Sequence, residues 1–251
     1  MGLIKNIKSY SERIPISTDK KEILSSFLLN GFPTTKDEEW KYTSLKKVIA
    51  NEYSVEKQGE IIGSSVIEKY SLEFENRIIF SDGKLLNTPT IKGVSVTGFS
   101  EFESETTNSI LQLNKALSQN GFTITIDKDT VVEKPIEILF FSTAENSFSQ
   151  YRNQISIGEN SEVKFVERIQ NLSNLASFVN HFTQINCAKN TKLEYNKIQN
   201  NTNESQLIDT VNVYQEQDST CNINTIIFGG SFTRNNLNFE QNGSNCESNM
   251  N

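Results

Sequence analysis

Five polar turns recur along the second half of the chain, and they constrain its fold more than any other feature. Each is followed by an apolar residue that opens an alternating stretch: DKDTVV with Val132, ENSEVKF with Val163, KNTKLEY with Leu193, QDSTCNI with Cys221 and NGSNCES with Cys246. The intervals between the named residues are 31, 30, 28 and 25. Each interval holds a second alternating stretch, such as NQISI before ENSEV or FTQINC before AKNTKL. A repeat of this length without helical spacing indicates a β-solenoid, in which stacked coils bury a face that no single coil can bury alone. Asn, Asp, Ser and Gly suit the corners because they tolerate left-handed backbone. An antiparallel sandwich would show turns every 8–12 residues, yet Asn242-Gly243 is the only NG or DG dipeptide in the repeat region.

Residues 1–75 read as a small helical region. Asp19 with Glu22 is a cap-like start, followed by the stripe Ile23, Leu24, Phe27 and Leu28, then a stop at Asn30-Gly31 and Pro33. Thr35-Lys36-Asp37-Glu38 predicts a second short helix carrying Trp40, and Ser65 with Glu68 a third. Residues 76–251 are expected to form the β-helix core. They enter it through RIIF-SDG-KLL, the strand IKGVSVTGF and one helix over about 108–119, which stops at Asn120-Gly121.

Composition narrows the function classes. The chain has 251 residues, 30 of them Asn, and a net charge of −7 from 24 basic and 31 acidic side chains. No Lys/Arg-rich stretch suits a phosphate backbone, so a nucleic-acid partner is not expected. Three cysteines without a CxxC argue for a reducing compartment. No apolar run has the length of a signal peptide core or a membrane span, which predicts a soluble, cytoplasmic protein without a membrane partner. Phosphate-loop, dinucleotide, nucleophile-elbow and HExxH motifs do not occur.

The segment GFPTTKDEEWKYTSL at 31–45, with Gly31, Pro33, Glu39, Trp40, Tyr42, Thr43 and Leu45 in order, resembles the N-terminal signature of the SufB/SufD iron–sulfur cluster assembly proteins, in particular its SufD type. Further similarity runs through LNKALSQNGFTITI (113–126), KPIEI (134–138), ISIGENSEVKFVER (155–168) and QEQDSTCNINTIIFGGSFTRNNL (215–237). The resemblance implies a mainly β protein: a right-handed parallel β-helix behind a small α-helical N-terminal region. It also implies a non-catalytic scaffold that pairs with a SufB-like paralogue and a SufC-like ATPase. On that complex an iron–sulfur cluster is held transiently, with no cofactor bound by this chain alone. The family's core continues past the point matched by Asn251, through a Cys-x-His-Gly element and a helical segment that contacts the ATPase. No residue here corresponds to those, so the chain is expected to be incomplete at its C-terminus and no catalytic, cofactor or metal residue is assigned.

Candidate residues are read accordingly. His181, the only histidine, and Cys187 share a strand face but lie too far apart, roughly 20 Å at about 3.3 Å per residue, to share a metal. Cys221 and Cys246 are expected at equivalent positions of adjacent coils, about 5 Å apart, as a small-residue core stack or, alternatively, as thiolates for sulfur or a soft metal. Trp40 and Tyr42 either pack a short helix on its own core or anchor a partner. Gly229-Gly230 and Arg234 read as a corner and a charged edge, and Glu162, Glu167 and Glu194 as solvated strand residues. Two other functions compete with the scaffold: an extracellular-type polysaccharide-active β-helix enzyme, and an architectural solenoid that self-associates through an open last coil.

Overall fold

The computed structural model of the protein describes residues 2–55, 59–60, 62–104 and 106–251. Residues 1, 56–58 and 61 of the expected helical region, and residue 105, lie outside the described residues. Helices α1 (Gly2–Ser11) and α2 (Thr18–Asn30) come first. The cap of α2 is Ser17, whose hydroxyl accepts the N–H of Lys20, and not the expected Asp19, which sits in the first turn. Gly31, at φ +74°, ends α2 with its N–H on Phe27 O at 2.6 Å. The expected Thr35 capping box does not form. The Asp37 carboxylate turns back to accept the N–H and hydroxyl of Thr34, at 2.6 and 3.1 Å, and a single 3-10 turn over Glu38–Trp40 replaces the helix. Helix α3 (Ser64–Tyr70) follows.

Strands β1 (Asn76–Ser81) and β2 (Lys84–Asn87) pair as a hairpin about Asp82-Gly83, and β3 (Val94–Gly98) precedes α4 (Ser109–Leu117). Asn108 Oδ1 caps α4 by accepting the N–H groups of Ile110 and Leu111. The chain then winds through β4 (Phe122–Ile126), β5 (Ile136–Ser142), β6 (Phe148–Ile157), β7 (Glu162–Asn171), β8 (Ser177–Cys187), β9 (Lys192–Asn201), β10 (Ser205–Gln215), β11 (Thr220–Gly229), β12 (Phe232–Gln241) and β13 (Glu247–Met250). Odd strands from β5 to β13 stack in parallel as one wall and even strands from β4 to β12 as the other. The result is a mainly β fold, a parallel β-solenoid of about four turns. Among the described residues, only the entry pairs β1–β2 and β3–β4 are antiparallel.

The recurrent polar turns are the corners from even to odd strands. Asp129, Asn160, Asn190, Asp218 and Asn245 all have φ between 55° and 60°, the left-handed region that Asn and Asp enter most readily after glycine. Their side chains form rungs: Asn160 donates to Asp129 at 2.8 Å, Asn190 to Asn160 at 2.9 Å and Asn245 to Asp218 at 2.9 Å. Val163, Leu193 and Cys221 share one inward column, as the repeat predicts. Cys246 does not join it. Cys221 pairs with Ser248, so Cys246 falls two residues early, beside Ser219 in the corner. The last corner carries one residue more than its predecessors, which the 25-residue interval had hidden.

Among the described residues, three apolar clusters hold the fold. The largest fills the space between the walls, including Phe140, Ile155, Phe165, Ile185 and Leu193. A second joins α1, α2, α4 and Trp40 to Phe148, Phe178 and Ile208 on the outer side of the even-strand wall. A third lies under α3, against Leu139 and Phe141 on the outer side of the odd-strand wall.

Substituting Asn190→Val should cost about 1–2 kcal/mol, the left-handed penalty for a side chain that cannot relieve it. Asn190→Gly, which accepts that φ freely, should cost markedly less. Urea midpoints of the two variants check the order.

Candidate functional site

The inner face of a solenoid strand is set by period-two alternation, and here it places charged residues among the apolar ones. On β7 and β9 the inward positions run Val163, Phe165, Glu167, Ile169 and Leu193, Tyr195, Lys197, Gln199. On β8 and β10, His181 stacks on Asp209. All of Glu167, His181, Lys197, Gln199 and Asp209 are buried.

These groups form one connected spine. The N–H of Phe122 donates to Asn153 Oδ1 at 3.1 Å, which fixes the amide so that Nδ2 faces His181 Nε2 at 2.8 Å. The His181 proton is thereby placed on Nδ1, which donates to Asp209 Oδ1 at 3.1 Å. Gln199 donates to Asp209 Oδ2 at 2.7 Å and exchanges hydrogen bonds of 2.8 and 3.1 Å with Asn235. Lys197 Nζ lies 2.6 Å from Asp209 Oδ2 and 3.1 Å from Glu167 Oε2. Burial alone would raise the Asp209 pKa, but Lys197 and the bond from His181 reverse this and hold it well below the usual carboxylate range. Burial likewise opposes the Lys197 charge, yet Asp209 and Glu167 leave its pKa raised.

The sequence candidates are distributed as follows. His181 is buried, and its hydrogen-bond partners are amide and carboxylate groups. Glu167 is a correction: it is fully buried against Lys197, not solvated. Glu194 fits the solvated reading, pairing with Lys164 across coils at 3.3 Å, and Glu162 is half-buried. Cys187 and Cys221 are buried inside the solenoid; the Cys187 thiol, followed by burial, pushes the Cys221 thiol upward in pKa. The expected Cys221–Cys246 stack is absent because of the two-residue offset, and Cys246 donates instead to Glu216 O at 3.2 Å. Gly229 and Gly230 form a corner at φ +75° and +92°, and a Cβ on Gly229 would sit 2.4 Å from Asn201 O. Among the described residues, no group of three or more His, Cys, Asp or Glu is placed to hold a metal ion, and no helix is long and apolar enough to cross a membrane.

Trp40 and Tyr42 part company. Trp40 is 3 % exposed within the helical cluster, whereas Tyr42 is 92 % exposed. Arg234 of β12, expected as a charged edge, lies over the Trp40 ring at 4.1 Å and donates to Glu39 O and Thr43 Oγ1. Its burial lowers its pKa. The 31–45 segment is thus tied to a strand almost 200 residues away in sequence. On the same outer wall, buried Arg152 sits between the rings of Phe102 and Phe182, at 4.3 and 4.7 Å, and burial pushes its pKa down to about 10. Sequence reading missed Lys197, Asp209, Gln199 and Arg152. For the first three the signal was present: counting alternate residues from Leu193, or one coil from His181, lands on inward positions.

The fold is a parallel β-solenoid with a filled interior. Residues 140–251 match the family described as SUF system FeS cluster assembly, SufBD core domain. Over 244 residues the chain is 23 % identical to the iron–sulfur cluster assembly protein SufD of Escherichia coli (strain K12), a match covering 91 % of this chain. The chain spans 57 % of the length of that curated relative. Both findings are similarities, to the SufBD core domain over the second half of the solenoid and to SufD over most of the chain.

Trp40→Ala should destabilise the protein by about 3–5 kcal/mol, as deletion of a buried aromatic does, while Tyr42→Ala leaves the unfolding midpoint within about 0.5 kcal/mol. Thermal or urea unfolding of both variants checks this. Stability should also depend on pH at both ends. The depressed Asp209 pKa contributes stability that is complete above the unfolded value of about 3.9 and is lost as pH falls through its folded pKa. The raised Lys197 pKa contributes stability that is complete below about 10.4 and is lost as pH rises through its folded value. Asp209→Asn should flatten the acid limb in urea unfolding measured from pH 2 to 7.

Proposed function

We propose that this chain acts as a SufD-type, non-catalytic scaffold subunit in iron–sulfur cluster assembly, in the cytoplasm. It would associate with a SufB-like paralogue and a SufC-like ATPase, and the cluster would be cargo of the complex. One observation carries the reading: the match to the SufD relative runs from the helical region through the solenoid and covers 91 % of the chain. The fold supplies what such a scaffold needs, a rigid two-walled body with a helical region fixed to one wall. Its outer surface offers contact area for another subunit, since Ile226 and Phe228 project from the odd-strand wall with 53 % and 56 % exposure.

Co-expression tests the proposal. The chain, tagged, is expressed with a SufB-like and a SufC-like protein and purified through the tag. Retention of both at micromolar concentration, in a constant ratio on gel filtration, is the expected result. If neither is retained while the chain itself gives a cooperative unfolding curve, the scaffold reading fails.

A further inference from the structure

We propose that the buried trio Glu167, Lys197 and Asp209 sets the coil register where the corners do not. The two kinds of corner differ. Between β6 and β11 those from even to odd strands span 158–161, 188–191 and 216–219, four residues each, and repeat one left-handed conformation. Those from odd to even strands span 172–176, 202–204 and 230–231, so their length runs from five residues to three to two. A corner of variable length cannot fix the alignment of the strands it joins.

Nor does the hydrophobic pattern fix it. A slip of one residue would turn every side chain over, but a slip of two preserves the alternation. The outer face of β7 and β9 fixes it only weakly: its Lys164–Glu194 ion pair, 3.3 Å, has side chains 48 % and 40 % exposed and is screened by water.

Inside, the slip is forbidden. In register, Lys197 lies over Glu167 of the coil below and reaches Asp209 on the opposite wall. Two residues away, its neighbour below is Phe165 or Ile169. The ammonium would then be buried beside an apolar side chain while two carboxylates lost their cation, the costliest arrangement for buried charge. The trio lies toward the variable corners, in the second half of β7 and β9 and the first half of β10. A buried polar group that specifies alignment is the best-attested use of such groups.

Cross-linking in the whole 251-residue chain carrying Cys246→Ser tests this. Val166 and Asn196 are neighbours on the outer face of β7 and β9, so Val166→Cys with Asn196→Cys reports the native register. Val166→Cys with Ile198→Cys reports the two-residue slip. Under mild oxidation the native pair should form disulfide at least tenfold more than the slipped pair. In the background Glu167→Gln/Lys197→Gln/Asp209→Asn, which keeps size and removes charge, that ratio should fall at least threefold. An unchanged ratio in the neutral background overturns the proposal. Should that variant fail to fold, Lys197→Arg decides: retention of the parent ratio supports the charge pairing, and slippage despite the retained charge refutes it. The outcome is independent of whether the chain binds other subunits.

Discussion

Stacking of each coil on the next through parallel backbone hydrogen bonds is the constraint on which everything else in this molecule rests. A lone coil would leave its peptide groups and its inward side chains to water; two coils satisfy each other at the spacing of adjacent strands, 4.7–4.9 Å. Stacking is possible only if the chain turns back at the same height in every coil. The left-handed Asp and Asn residues at 129, 160, 190, 218 and 245 make that turn, and their N–H groups bond to carbonyls of the neighbouring corner, as Asn160 to Lys189 O and Asn190 to Gln217 O. Corner and strand are therefore one continuous ladder. Part of the abundant Asn serves these rungs and the outer-face amide pairs such as Asn224 with Asn196.

Much of this was legible in the sequence, and the failures share a cause. Corner residues announced themselves because a left-handed position accepts few residue types, so the repeat located Val163, Leu193 and Cys221 in one column. Cys246 was misplaced because identity of residue type was taken as identity of position; it directly follows left-handed Asn245, as Ser219 follows Asp218, whereas Cys221 stands three residues after Asp218. The Thr35 box and the Asp19 cap failed for a local reason. Ser17 and Thr34 offered competing hydrogen bonds one or two residues upstream, a choice that single-turn energetics settle by tenths of a kcal/mol. Glu167 was read as solvated because charge suggests surface, and its partner Lys197 lies 30 residues away, one coil off, where only the register reveals it.

The helical region is bonded to the solenoid by contacts that no local pattern encodes. Arg234 clamps the 31–45 segment through Trp40, Glu39 and Thr43. Tyr53 donates to Gln206, and Asn114 of α4 donates to Tyr151 O and Asn180 O on successive strands of the wall. Asn114 in particular reads the spacing of β6 and β8, since its two acceptors belong to adjacent coils. The helices consequently cover the wall only where the coils are already in register, and the order of events in folding should follow from that dependence.

Burial of three charges in a core of this size is, taken alone, a poor way to gain stability, because desolvation consumes most of the Coulombic return. Apolar side chains at 167, 197 and 209 would pack the interior at least as well. What they would not supply is discrimination between alignments that differ by two residues, which an all-apolar column treats alike. The same logic explains why the spine is uncharged at its two ends. Asn153 is held by the backbone of β4, and Asn235 by Gln199, so each terminal amide is satisfied without importing another charge. Only the middle rungs, beside corners that change length from coil to coil, carry ions. For a subunit whose outer surface must present fixed contacts to other proteins, a shift of one strand by two residues would move every outward side chain on it by about 6.6 Å, so alignment inside is what holds the surface in place.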